Sequence, residues 1–374
     1  MVKTRKIVLV LGNGFDLDRE LETSYEKFWE SDLCPKNYPA PIIRHLNSKL
    51  SGRKGVRWYD LENELYFYAL NGDKTDVVDK QELDLILSKS DYELTISTRY
   101  SGIDDVLASL SQKGYVEISG PLNSARVPFR ADFEDPVAIR DRKALALIKE
   151  RLCEYLKRIE NVTTKKPKVS SFLLRAMNIC AGIGDNVSIY TFNYTHPQCF
   201  NTIDSRIPIH YVHGDCENKN IIIGTRDDLK LSNDYDFLQK AMDPAFNPPD
   251  LVHNLIEADE VVFFGHSLGE NDSQYFSPFF KKLIDIDHPT KKDITFFTYD
   301  HEAQNDIKRS LQKMTDGNLS VLYSIHQPHI IKNHCLLEDL PLFHDFITKH
   351  NFASSVAEDI IGLLLEGHTE SVNK

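Results

Sequence analysis

Four short stretches of the chain carry side chains whose types and spacing can do chemistry, and each follows an apolar run. In Gly12-Asn13-Gly14-Phe15-Asp16 the glycine pair lets the backbone approach a ligand, and amides opening a following helix can cradle a phosphate. The third glycine of the dinucleotide fingerprint GxGxxG is missing. In Thr191-Phe192-Asn193-Tyr194-Thr195 the carboxamide of Asn193 stands where an open α/β sheet presents its ligands, beyond the carboxyl end of a strand. An asparagine there is equally a turn former. His213-Gly214-Asp215 supplies an imidazole that titrates near neutrality, with a glycine leaving space beside it.

The fourth stretch, Phe263 to Asp272, reads FFGHSLGEND. Taken literally, Gly265-His266-Ser267-Leu268-Gly269 is the GxSxG nucleophile elbow of an α/β hydrolase, with Ser267 as nucleophile. The acidic follow-on, Glu270 to Asp272, is awkward where a helix must pack on the strand. The acid and histidine such an enzyme needs downstream are not singled out by context. Ser267 and Asp272 can instead hydrogen-bond a ligand. A weaker patch, Trp58-Tyr59-Asp60-Leu61-Glu62, reads as a helix start with Leu61 and Leu65 facing the core, although its carboxylates could line a pocket.

The elements that must hold these groups are legible in outline. Ile7 to Leu11 is a continuous apolar run, the pattern of a parallel strand covered on both faces. Similar runs recur at 187–192, 209–212, 221–223, 260–264, 294–298 and 319–323. Helical patterns between several of them predict an α/β fold with a doubly wound, mostly parallel sheet. From about 20 to 180 the clearest pattern is helical, with Leu145, Ile148, Leu152, Tyr155, Leu156 and Ile159 at three- and four-residue steps. Glycines and prolines between 111 and 136 predict loops or short strands there. Two closing helices are expected at 342–350 and 356–365. The boundaries so drawn are 1–20 with 182–330 for the α/β core, 21–181 for a large, mostly helical insertion, and 331–374 for C-terminal helices and tail.

The 374 residues hold 44 Lys and Arg against 56 Asp and Glu, a net charge of −12. Nothing in that balance drives binding to duplex nucleic acid or an anionic membrane. Six cysteines without a CxxC pair argue against a zinc ribbon or a redox dithiol and fit a reducing cytoplasm. Apolar stretches fall short of the ~20 residues of a spanning helix, and a soluble cytoplasmic protein is expected.

Together, GNGFDLD, Thr23-Ser24-Tyr25 with Phe28, WYDLE, TFNYT, HG and FGHSLGENDSQYF resemble the AbiH family of bacteriophage abortive-infection proteins, over residues 6 to about 280. The same ensemble is similar to a remote, Rossmann-like sheet of the sirtuin-like NAD-binding type. That resemblance implies that Gly12, Gly14 and Phe15, with Asn13 and Asp16 beside them, form a phosphate-holding turn. It further implies that Asn193, beside Thr191, contacts the nicotinamide ribose, that His213 is the general base, and that Gly265, Ser267 and Asp272 lie in a late loop against the adenosine half. Three departures stand out: Gly-Asn-Gly replaces Gly-Ala-Gly, Thr195 replaces an aspartate, and the cysteine quartet for zinc is absent. The missing quartet points away from an ordinary deacylase and leaves NAD cleavage open.

The resulting expectation is an antiviral effector that binds NAD or a related nucleotide and hydrolyses the nicotinamide–ribose bond, with Asn193 and His213 catalytic and no metal. The alternatives are a serine hydrolase using Ser267 and a non-catalytic nucleotide sensor acting through a partner. A homo-oligomer or a partner defence protein are the macromolecular contacts considered, with no membrane and no duplex nucleic acid.

Overall fold

The computed structural model describes residues 4–50, 58–71, 93–97, 117–118, 124–128, 137–160, 168–197, 203–285 and 291–350. The helix expected at 356–365 and Cys199 lie outside the described residues. In chain order, β1 (Lys6–Leu11) leads into α1 (Asn13–Asp18). The insertion follows as α2 (Tyr25–Glu30), α3 (Pro41–Leu50), α4 (Trp58–Asn71), β2 (Glu93–Ser97), β3 (Glu117–Ile118), β4 (Ser124–Pro128) and α5 (Val137–Glu160). The chain then returns through α6 (Val169–Gly182), β5 (Asn186–Thr191), β6 (Ile209–Tyr211), α7 (Leu251–Glu257), β7 (Glu260–Phe264), α8 (Ser273–Leu283) and β8 (Asp293–Thr298). It closes with α9 (His301–Met314), α10 (Leu319–His326), β9 (His329–Lys332) and α11 (Leu340–Lys349).

Six of these strands pair in the order β6-β5-β1-β7-β8-β9, every pair parallel. Numbered among themselves, they run 3-2-1-4-5-6, so the chain winds outward in both directions from β1. The switch point lies between β1 and β7, where crevices open in sheets of this kind. Register makes that crevice useful: Leu11 is level with Thr191 on one side and Phe264 on the other, and Thr191 is level with Tyr211. The loops after four strands therefore leave the sheet at one height.

Alternation within β1 sends Ile7, Leu9 and Leu11 to one face and Val8 and Val10 to the other. The first set packs with α6 and α11 through Leu173, Met177 and Phe343. The second packs with α7, α8, α9 and α10 through Leu255, Phe276, Leu311 and Leu322. Helices on both faces explain why these strands read as unbroken apolar runs.

The insertion has its own core, in which Leu145, Ile148, Leu152, Tyr155 and Leu156 of α5 meet Tyr25, Phe28, Leu61 and Leu65. Asp141, fully buried on α5, is its polar hub. It accepts from Tyr68 Oη at 2.5 Å, Tyr235 Oη at 3.0 Å and the Ile42 amide at 3.0 Å. Short strands appear in the 111–136 stretch as β3 and β4, which form a separate antiparallel sheet, β2-β4-β3, with the unexpected β2.

Two expected strands are not strands. Ile221 to Ile223 is buried, but it packs into the insertion core rather than joining the sheet. Leu319 to Tyr323 lies in helix α10, where Leu322 and His326, four residues apart, are its buried positions. A five-residue apolar run does not distinguish strand from helix by period. The true edge strand is β9, whose four residues, His-Ile-Ile-Lys, gave no comparable signal.

A candidate active site at the switch point

The β1 and β7 loops meet backbone to backbone. Gly12 N donates to Phe264 O and Gly14 N to Gly265 O, both at 2.9 Å. A Cβ on Gly12 would lie 2.6 Å from His266 Cα, and one on Gly14 would lie 2.6 Å from Gly265 Cα. Gly265 itself has φ +63° and would place a Cβ 2.4 Å from Gly14. These glycines are thus required by loop-on-loop packing. The Gly12 and Gly14 amides are thereby engaged by the end of β7 and its loop, and the Phe15 amide by Gly12 O.

Above this contact lies a cavity of about 470 Å³. It collects most of the residues singled out in the sequence: Gly12, Asn13, Gly14, Asp16, Asn193, His213, Gly265, Ser267 and Asp272 all line it. Two do not. Phe15 is buried edge-on against Phe264, 5.6 Å between ring centroids, and belongs to the core. Thr191 ends β5 as a buried strand residue and accepts the Asn193 amide on its hydroxyl at 3.1 Å.

Asn193 donates Nδ2 to Gly12 O at 3.0 Å, tying the β5 loop to the β1 loop. Beside it Asp16, 1% exposed, accepts the Thr195 hydroxyl at 2.6 Å on Oδ2, while Oδ1 is buried without a hydrogen bond. Burial pushes the Asp16 carboxyl up to about 6, against the lowering pull of Thr195 and Arg19.

His213 is held by Asp272, already singled out in the sequence, and through it by Lys240, which no motif announced. Its Nε2 is 2.9 Å from Asp272 Oδ1, which also receives the Lys240 ammonium at 3.0 Å. Lys240, 1% exposed, has a second carboxylate in Glu62 of α4 at 3.0 Å. Burial and then Lys240 keep His213 below its ordinary value, so the imidazole is neutral near pH 7. Burial alone would raise Asp272, but Lys240 and His213 hold it well below the usual carboxylate range. An ionised Asp272 accepts from Nε2–H, which leaves Nδ1 as the bare nitrogen, and Nδ1 is buried without a hydrogen bond.

His266 lies on the other side of Phe192, ring centroids 4.4 Å apart, with Nε2 3.7 Å from Asp272 Oδ2. Its Nδ1 accepts from the Leu268 amide at 3.0 Å, and burial pushes it down to about 4. Lys240 sits in a stretch without motif. Glu62 belongs to the WYDLE patch, and His266 is the second residue of the apparent elbow.

The elbow reading fails on geometry. Ser267 is exposed, the left-handed backbone falls at Gly265 and Leu268 rather than at the serine, and α8 begins only at Ser273. Among the described residues no histidine hydrogen-bonds its hydroxyl. A tight strand-serine-helix turn is what presents such a nucleophile.

The profile of the family described as bacteriophage abortive infection AbiH matches residues 8–291. The chain belongs to the AbiH family. Neither a curated protein nor a solved structure matches it. The matched span covers β1 from Val8, the insertion and every pocket loop through β7, while the cavity wall from Thr298 to Ile307 lies beyond it. Among its described residues no helix is long and apolar enough to cross a membrane. Among those same residues one group could hold a metal ion: His301, Cys335 and Glu338, whose ligand atoms lie within 4.8 Å of one another. None of the three lines the cavity, and the Lys332 ammonium stands 3.4 Å from Glu338.

Proposed function

We propose that this AbiH protein binds NAD or a related nucleotide in the switch-point cavity and hydrolyses its nicotinamide–ribose bond, as a sirtuin-like, Rossmann-like effector of antiviral defence. The observation that carries the reading is that Asn193 and His213, from loops twenty residues apart, line one cavity with Gly12 and Gly14. A volume of about 470 Å³ is in the range of small-molecule sites.

Charge supports a particular half of the substrate. Asp16, Glu26, Glu62 and Asp272, with Asp300, Glu302 and Asp306 from the α9 side, outnumber Lys240, the one ammonium among the described lining residues. Such a lining repels a pyrophosphate. It suits sugar hydroxyls, a cationic pyridinium and the oxocarbenium character that develops at C1′ as the glycosidic bond breaks. The nucleotide therefore enters nicotinamide-riboside first, with its phosphates outward.

In the reaction the C1′–N bond breaks with its electron pair going to the pyridinium nitrogen, and nicotinamide leaves neutral. Water forms the new C1′–O bond and gives its proton to His213. Asp272, on Nε2, stabilises the imidazolium that forms. Asn193, pinned to Gly12 O through Nδ2, offers its carboxamide oxygen to a ribose hydroxyl.

Incubating purified protein with NAD, with and without phage lysate, tests this directly. Nicotinamide and ADP-ribose should appear, and His213→Ala and Asn193→Ala should sharply reduce them. Saturable NAD binding without product would identify a nucleotide sensor instead. Absence of both binding and product removes the reading.

A further inference from the structure

Glu62 is the point at which the helical insertion enters the pocket chemistry, and no part of the proposed reaction yet uses it. It reaches Lys240 at 3.0 Å, and Lys240 reaches Asp272 at 3.0 Å and His213 Nε2 at 3.4 Å. We propose that Glu62 is a positioning residue for the His213 base: by sharing the Lys240 ammonium with Asp272, it leaves Asp272 free to hold His213 through Nε2. The proposal rests on the reading of His213 as the proton acceptor.

The distances in this chain are set remotely by one hub. Tyr68, less than two turns beyond Glu62 on α4, and Tyr235, five residues before Lys240, both donate to the buried Asp141 carboxylate. Backbone bonds from Lys240 N to Thr225 O and from Thr225 N to Leu238 O fix the lysine's own turn. Glu62 and Lys240 thus face each other from two segments clamped to the same side chain. The charged and titratable groups around Glu62 are Lys240 from that turn, Asp272 from the loop before α8 with Asn271 beside it, and Tyr194 from the β5 loop.

Consider the two protonation states of Glu62. Ionised, it neutralises part of Lys240, so the ammonium weighs less on His213. Protonated, it leaves Lys240 to Asp272 alone, which draws the carboxylate from the imidazole and makes His213 a weaker base. Burial pushes Glu62 up to about 7, with Lys240 opposing and Asp272 adding to the rise, so the two states exchange in the working pH range.

Glu62→Gln mimics the protonated state while Lys240 keeps Asp272 as a partner. For NAD hydrolysis, kcat at pH 8 should fall about ten- to a hundredfold with KM little changed, as outer-shell partners that orient a metal-binding histidine do. The wild-type acid limb near pH 7 should disappear, leaving the variant's profile flat down to the His213 limb below pH 6.5. A second measurement needs no turnover. Nitrogen-15 spectra of histidine-labelled protein, with His213 assigned from His213→Ala, should show its titration moved to lower pH by Glu62→Gln. A shifted titration in protein that releases no nicotinamide supports the Glu62 coupling and overturns the hydrolase reading. An unchanged His213 titration, or an acid limb near 7 that persists in the variant, overturns the coupling whatever the activity.

Discussion

The hydroxyl of Thr195 donates to the Asp16 carboxylate at 2.6 Å, joining the loop after β5 to the first turn after β1. A carboxylate is thereby delivered to the position two residues beyond Asn193 from another part of the chain, where the resemblance led one to look for it within the same stretch.

Asp16 should make the protein less stable as pH rises. Its folded value of about 6 lies above the ordinary 3.8, so its favourable contribution is complete below about pH 4 and is lost as pH passes through 6. Asp16→Asn should match the wild type near pH 4 and exceed it above pH 7, by at most about 3 kcal/mol. Thermal unfolding of both proteins at pH 4.5 and pH 8 decides it, and parallel curves would contradict the assignment. Thr195→Val removes the lowering contact and should move the wild-type transition to higher pH.

The glycines of the β1 and β7 loops should fail by sterics before they fail by chemistry. Gly12 has φ −119°, which any residue adopts, so Gly12→Ala tests only the 2.6 Å approach to His266 Cα. Because the neighbour is backbone, a cost of about 1–3 kcal/mol or more is expected. Gly265→Ala adds left-handed strain to a 2.4 Å clash and should be the worst. Gly184, at φ +102° with nothing within 4 Å of a Cβ, is the control and should cost only about 1–2 kcal/mol. Urea unfolding ranks them, and a Gly265→Ala no costlier than Gly184→Ala would refute the packing account.

Lys240 should matter more to folding than its lack of motif suggests. Lys240→Met strands Glu62 and Asp272 without their shared cation, and breaking a buried pair in this way costs about 3–5 kcal/mol. Adding Glu62→Gln to Lys240→Met should recover part of that loss, because one stranded charge is gone. A double-mutant cycle by denaturant unfolding measures the recovery. Strict additivity would mean the two side chains do not interact.

His213 and Ser267 should separate cleanly in activity. His213→Ala should lower NAD hydrolysis by about 10² to 10⁴. Ser267→Ala, at an exposed position where no described histidine hydrogen-bonds its hydroxyl, should leave turnover near wild type and protein stability unchanged. A fluorophosphonate probe should leave Ser267 unlabelled; labelling would restore the hydrolase alternative.

Much of this architecture was legible before any coordinates. The run Ile7 to Leu11 reads as a doubly covered strand because helices bury both its faces, and the amphipathic steps from Leu145 to Leu156 read as the core face of α5. Asn193, His213, Ser267 and Asp272 were visible because each follows an apolar run. Lys240 was not, since a charged residue between two short turns leaves no periodic trace. Nor was β9, which is too short for alternation to register.

The sequence by itself determined the local facts: which runs are apolar enough to become strands, which loops begin with glycine, and which polar side chains stand at strand ends. Those follow from neighbours along the chain. Only the tertiary structure decided that Gly12 and Gly14 serve a backbone contact with Gly265, that Asp16 meets Thr195, and that Glu62, Lys240, Asp272 and His213 form one charge-sharing group. Those relations span up to about 250 residues of separation, from Gly14 to Gly265. They depend on strand order and register, quantities that emerge only when both faces of the sheet are packed.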